Sequence, residues 1–202
     1  MINSPQQRNR LYLIIILALC IIPFVAAFWL STNTQFVDNL KGRTNTGQLI
    51  TPVITTERSD LLGMDQFSIA NIGELKGHWI LLNVIPQDDC TAACLEAIHK
   101  TKQLRIMLNK DLTRTRRAVA FFKEVPPQTV GQWLHDDTVL LKVRPSAALI
   151  QKIIKLRRGN IPDGMLLLMD PLGNLMMQYE PGFDPYKVKK DLMHLLQISQ
   201  IG

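Results

Sequence analysis

The chain has 202 residues, 47% of them hydrophobic and 20% charged, with a net charge of +6. That balance excludes general disorder and leaves room, beside one apolar span, for a single domain of common size with its own core. The positive excess falls largely on Lys100–Lys123 and Lys152–Arg158, with no aromatic residue interleaved in the first cluster before Phe121. These segments read as solvated helix faces with some pull toward anionic lipid or an acidic partner, and nucleic acid is not expected.

From Leu11 to Leu30 the sequence carries no charge, and its length suits a helix crossing the hydrocarbon core. Pro23 is tolerable there as a kink, and Tyr12 and Trp29 stand near the two ends, where interfacial aromatics are favoured. Arg8 and Arg10 precede the span, and Asp38 is the first charge after it. The asymmetry puts residues 1–10 in the cytoplasm and the C-terminal part outside an inner membrane, in the periplasm of a Gram-negative cell. Val25-Ala-Ala27 would also pass as a signal-peptide cleavage site, but the bulky Phe28-Trp29-Leu30 favours an uncleaved anchor. Leu19 before Cys20 and the apolar residues after it argue against a lipoprotein anchor.

Residues 31–44 read as a linker, and 45–202 as the folded domain. Asn45–Pro52 is short, with Pro52 confining any strand to an edge. Asp65–Ile69 suggests a further short strand, followed by turns to Gly77. Trp79–Ile85 is a nearly continuous apolar run, as expected of a strand buried on both faces. Thr91–Asn109 has helical spacing of Leu95, Ile98, Leu104, Met107 and Leu108. Ala118–Phe122 is a second central strand, Thr129–Leu134 one or two helical turns, and Thr138–Val143 a short strand. Ser146–Leu156 reads as a helix. Met165–Met169 and Asn174–Tyr179, joined by Asp170-Pro-Leu-Gly173, form a hairpin. Asp184–Ile198 is a terminal helix.

Chemistry concentrates in Cys90-Thr-Ala-Ala-Cys94, at the junction between the buried strand and the long helix. Of three cysteines, the third, Cys20, lies in the apolar span. Two thiols so placed suit a short-loop disulfide, dithiol exchange, or soft-metal binding as thiolates, in particular Cu(I). A helix N-terminus favours thiolate, whereas Asp88 and Asp89 disfavour it. Closing so small a loop yields on the order of 2 kcal/mol, which is a weak reason to keep a purely structural disulfide. Among four histidines, His78, His99, His135 and His194 read better as surface or boundary residues than as ligands. Met165, Met169, Met176 and Met177 read as core filling. Alternation along the hairpin puts Met176 and Met177 on opposite faces.

The order of elements, with a parallel core and an antiparallel hairpin at its end, is the layout of an α/β, thioredoxin-like three-layer sandwich. The chain resembles the Sco/SenC group of membrane-anchored proteins linked to cytochrome oxidase assembly. The anchor, Asn45–Pro52, Leu75–Leu82 before Cys90–Cys94, and Leu168–Asn174 carry that resemblance over most of residues 45–198. It implies copper bound by Cys90 and Cys94, and an oxidase subunit or copper carrier as partner. The family's third ligand, a histidine shortly before the hairpin, is absent from Arg158-Gly-Asn-Ile-Pro-Asp-Gly164. Ile161-Pro162 there resembles the cis-proline loop that faces the cysteines of thioredoxins, which makes Pro162 an expected site residue. Three functions remain open: thiol–disulfide exchange through Cys90 and Cys94, Cu(I) delivery with an incomplete ligand set, and a non-catalytic interaction module.

Overall fold

An uncharged apolar segment satisfies its backbone only as a helix when no water can do so, and α1 (Pro5–Thr32) is one continuous helix through Pro23. It is long and apolar enough to cross a membrane. At its end the Ser31 and Thr32 hydroxyls donate back to the Phe28 carbonyl, at 2.8 and 3.2 Å. The computed structural model describes residues 5–32 and 45–199, and the chain divides into the units Met1–Thr44 and Asn45–Gly202. The expected linker lies outside the described residues from position 33 onward.

The second unit is built on β3 (Trp79–Ile85), buried along its whole length. It runs parallel to β4 (Thr115–Phe121), which pairs in parallel with β5 (Leu141–Pro145). On its other side β3 lies antiparallel to β6 (Leu166–Met169), the first strand of the hairpin completed by β7 (Asn174–Tyr179). The edges are β1 (Gln48–Thr55) and β2 (Leu61–Gly63), giving the order β1-β7-β6-β3-β4-β5-β2. One face is covered by α5 (Ala147–Leu156), whose Leu149 and Ile153 pack with Ile80, Leu82, Ala118, Val143 and Leu167. The other is covered by α3 (Ala92–Met107) and α6 (Pro185–Ile198), through Ala97, Leu104, Val188 and Leu192. The thioredoxin-like three-layer sandwich is thus the fold. Strand β3 reads as an apolar run because both of its faces are covered, so every side chain is removed from water.

Two local expectations are corrected. Asp65–Ile69 is not a strand; the strand is β2, and Asp65 instead caps the helix α2 (Gln66–Asn71) by accepting from Ser68 N at 2.7 Å. A side chain at Gly63 would meet Ile69 N at 2.6 Å, so the strand-to-helix turn there closes only on glycine. Burial alone would raise the Asp65 carboxyl, but hydrogen bonds from Lys142 and Ser68 outweigh it and hold the group below its ordinary value. Met176 and Met177 do not divide between the two faces. A register shift between Leu168 and Met169 places an extra residue in β7. Leu175 therefore joins the α5 side, while Met177 and, partly, Met176 join the α3/α6 side.

Where the domain begins, one carboxylate gathers three donors. Asp191 on α6 accepts from Thr46 N at 2.8 Å, Gly47 N at 2.9 Å and the Tyr179 hydroxyl at 3.2 Å. Burial, with Asp191 beside it, pushes Tyr179 well above its ordinary value, so its proton stays on and the hydroxyl donates.

Candidate functional site

The Pro86 nitrogen carries no hydrogen, which helps end the β3 ladder. Gln87, Asp88 and Asp89 bend through solvent, and α3 starts at Ala92 with Thr91 extended at its N-cap. This places Cys90 just before the helix and Cys94 in its first turn. The two are joined as a disulfide, with their Cα atoms 5.3 Å apart. Both cysteines are buried, Cys90 at 9% exposure and Cys94 at 1%, so Cys90 is the less enclosed of the two. Beneath the bridge lie Ile85, Ile98, Phe121, Leu140 and Val130, the last on the short helix α4 (Pro127–Trp133). Met64 and Val125 pack on the same cluster and also line an open groove of about 630 Å³ with Leu62, Glu124 and Arg144.

The loop before β6 reaches this helix by a different device from the one expected. Ile161–Pro162 is trans; among the described residues the cis X–Pro bond is Thr51–Pro52, in β1. The contact is made instead by the next two residues. Asp163 Oδ2 accepts from Thr91 N at 3.1 Å and also from the Thr91 hydroxyl. Gly164, at φ +84°, lies so close that a Cβ would stand 2.8 Å from the Ala93 carbonyl oxygen and 3.5 Å from Cys94 N. A left-handed conformation and backbone contact both require glycine there. The Asp-Gly pair was readable as a turn, but its cross-chain partner Thr91 carried no sequence signal.

No histidine joins the thiol pair. His78 is half-buried with Nδ1 2.9 Å from the Glu74 carbonyl. His99 is exposed beside Gln103, and His135 sits beside Asp136 at 3.1 Å. His194 is exposed on α6. Among the described residues no group of three His, Cys, Asp or Glu side chains could hold a metal ion. The three-ligand copper set implied by the resemblance therefore does not fit these residues.

Behind the pair, α3 is pinned to β4 by a buried polar network that no local pattern in the sequence announces. Arg117 Nη1 meets Asp137 Oδ2 at 2.6 Å, both side chains being nearly inaccessible. Arg117 Nη2 donates to the Ile98 carbonyl at 2.9 Å, and its Nε to Thr101 Oγ1 at 3.3 Å. The Thr101 hydroxyl in turn donates to Asn83 Oδ1 at 2.8 Å. Burial pulls Arg117 below its ordinary value, and Asp137 counters this by favouring the charged form. The single polar residue of β3 and the threonine in the buried stripe of α3 thus answer each other.

A strand, a C-x-x-x-C helix start and a facing loop of this kind define a thioredoxin-fold protein with its thiols at the usual end of the sheet. Residues 79–199 match the family described as transmembrane-like, thioredoxin-like, C-terminal domain, and the chain belongs to that family. Among solved structures, the domain is similar to apo Sco1 from Thermus thermophilus, with TM-score 0.52 and 13% identity, over 76% of this chain and 99% of that one. It is also similar to yeast Sco1 with copper bound, with TM-score 0.50 and 14% identity, over 63% of this chain and 83% of that one. At these identities the likeness is one of fold. No curated protein matches the sequence.

Proposed function

We propose that this protein is a membrane-anchored accessory factor of respiratory oxidase biogenesis that exchanges electrons between its Cys90–Cys94 pair and a dithiol partner. The observation that carries the reading is the exposure asymmetry of the disulfide, 9% at Cys90 against 1% at Cys94, at the start of a helix facing a glycine loop. A partner thiolate attacks the Cys90 sulfur, the Cys90–Cys94 bond breaks, and the electron pair leaves on the Cys94 sulfur, which then takes a proton from water. The partner's second thiolate attacks the partner sulfur of the mixed disulfide and expels Cys90 as thiolate. The partner ends as a disulfide and this protein as a dithiol, with the two electrons accounted for.

The assignment to oxidase biogenesis, with an oxidase subunit or copper carrier as partner, rests on the Sco-like fold and the motif resemblance. The apolar α1 and the Arg8/Arg10 to Asp38 asymmetry support an inner-membrane anchor with the domain outside, where a disulfide persists. A reporter active only in the cytoplasm, fused after the domain, is expected to stay inactive; strong activity overturns the orientation.

The function is tested by redox titration of the full-length protein in detergent, with and without Cu(I). An exchanging pair is expected to have a potential well above about −300 mV, the range below which structural disulfides lie. A more negative value decides for a structural disulfide. A Cu(I)-binding chaperone, in which the two thiolates alone hold one linear Cu(I), is the alternative, since soft sulfur suits that ion. A stable Cu(II)–thiolate chromophore would reveal a third ligand that the described histidines do not supply.

A further inference from the structure

We propose that Asp163 is a positioning residue that restrains the opening of the Cys90–Cys94 disulfide, an inference that rests on reading the pair as an exchanging one. The geometry is specific. One carboxylate oxygen, Oδ2, takes both the amide and the hydroxyl of Thr91, the residue that follows Cys90. The other, Oδ1, is buried and finds no hydrogen-bond partner among the described residues. The neighbouring Gly164 lies so close to the helix start that a Cβ there would run into the Ala93 carbonyl. The carboxylate is thereby tethered to the N-cap of α3, where Thr91 uses its own hydroxyl on Asp163 and makes no side-chain cap to the helix.

The consequence is electrostatic. An open helix N-terminus would stabilise the thiolate that leaves when the disulfide is attacked. Asp163 occupies that end with a charge of the same sign as both the attacking thiolate and the departing Cys94 sulfur. Repulsion of this kind, over the length of a helical turn and partly screened by water, changes a rate by about three- to tenfold. The loop that could have carried a metal ligand holds the redox helix instead.

The test is the rate at which dithiothreitol opens the disulfide in the full-length protein in detergent, compared among wild type, Asp163→Asn and Thr91→Val. Asparagine keeps an acceptor for Thr91 and removes the charge. Asp163→Asn is expected to react about three- to tenfold faster at about 20 mM salt, with the gain shrinking at about 0.5 M salt as charges are screened. Thr91→Val keeps the charge and is expected to stay within about twofold of wild type. An unchanged rate in Asp163→Asn overturns the proposal, as does a gain that ignores salt and is matched by Thr91→Val, and so does a disulfide that stays closed in every variant. Because the reductant is a small dithiol, these outcomes are independent of whether any protein partner exists. A strongly negative potential would remove the exchange function, while the rate ratio would still report on Asp163.

Discussion

Cys94→Ser is expected to trap a mixed disulfide at Cys90, whereas Cys90→Ser is expected to trap none, and both are expected to lose dithiol exchange completely. The reason is burial. With Cys94 replaced, the remaining thiol is the less buried of the two, and no resolving sulfur stands by to expel the captured partner. With Cys90 replaced, the remaining Cys94 is 1% exposed, beneath the Gly164 loop and against Ile98 and Phe121. Incubation of each full-length variant with oxidised glutathione, read by intact mass, checks this. Equal capture by both variants would contradict the assignment of Cys90 as the entry sulfur. Each variant also loses the cross-link, worth on the order of 2 kcal/mol for so short a loop, so the domain is expected to remain folded. A domain that unfolds on losing either sulfur would make the bridge structural.

Asp137→Ala is expected to destabilise the domain by about 3–5 kcal/mol, the largest single stability effect anticipated here. The side chains of Arg117 and Asp137 are 3% and 7% exposed and 2.6 Å apart, so removing the carboxylate leaves a guanidinium buried without its counter-charge. Burial already pulls that group below its ordinary value, yet it cannot shed its proton near neutral pH. The cost therefore appears as lost stability. A double-mutant cycle with Arg117→Met separates the pair's net worth from the penalty of orphaning one partner. The double variant is expected to be far more stable than Asp137→Ala alone, because an apolar replacement of both partners removes the desolvation cost. Chemical denaturation of the four proteins measures it, and additive losses would show that the pair does not act as a unit. Because Arg117 donates to the Ile98 carbonyl on α3, the same cycle reports how firmly the thiol-bearing helix is held to the sheet.

Much of the fold was legible because burial writes itself into composition. Trp79–Ile85 read as a central strand since both of its faces are covered, and Ser146 and Asp184 announced the helices that they cap through Leu149 N and Tyr186 N. The Asp-Pro-x-Gly turn marked the hairpin for a local reason, Gly173 standing at φ +95°. Where two readings competed locally, chain order could not choose. Asp65 followed by Gln-Phe-Ser-Ile suited a strand until its carboxylate was seen to bond Ser68 N and Lys142, a residue far along the chain. Alternation assigned Met176 and Met177 to opposite faces, and the inserted residue that puts both on one side inverts the alternation on which that assignment rests.

By itself the sequence determined the uncharged apolar segment, the strand that leads to the thiol pair, and the absence of a histidine between Arg158 and Gly164. These follow from hydropathy, period and residue identity, which are local properties. The tertiary structure alone decided that Cys90 is the less buried of the two cysteines. It also decided that Asp163 rather than Pro162 answers the thiol helix, and that Arg117 and Asp137 meet in the core. Each of these is a contact between segments distant in sequence, set by the register of β3 against β4 and β6, and no periodicity in a single segment encodes such a distance.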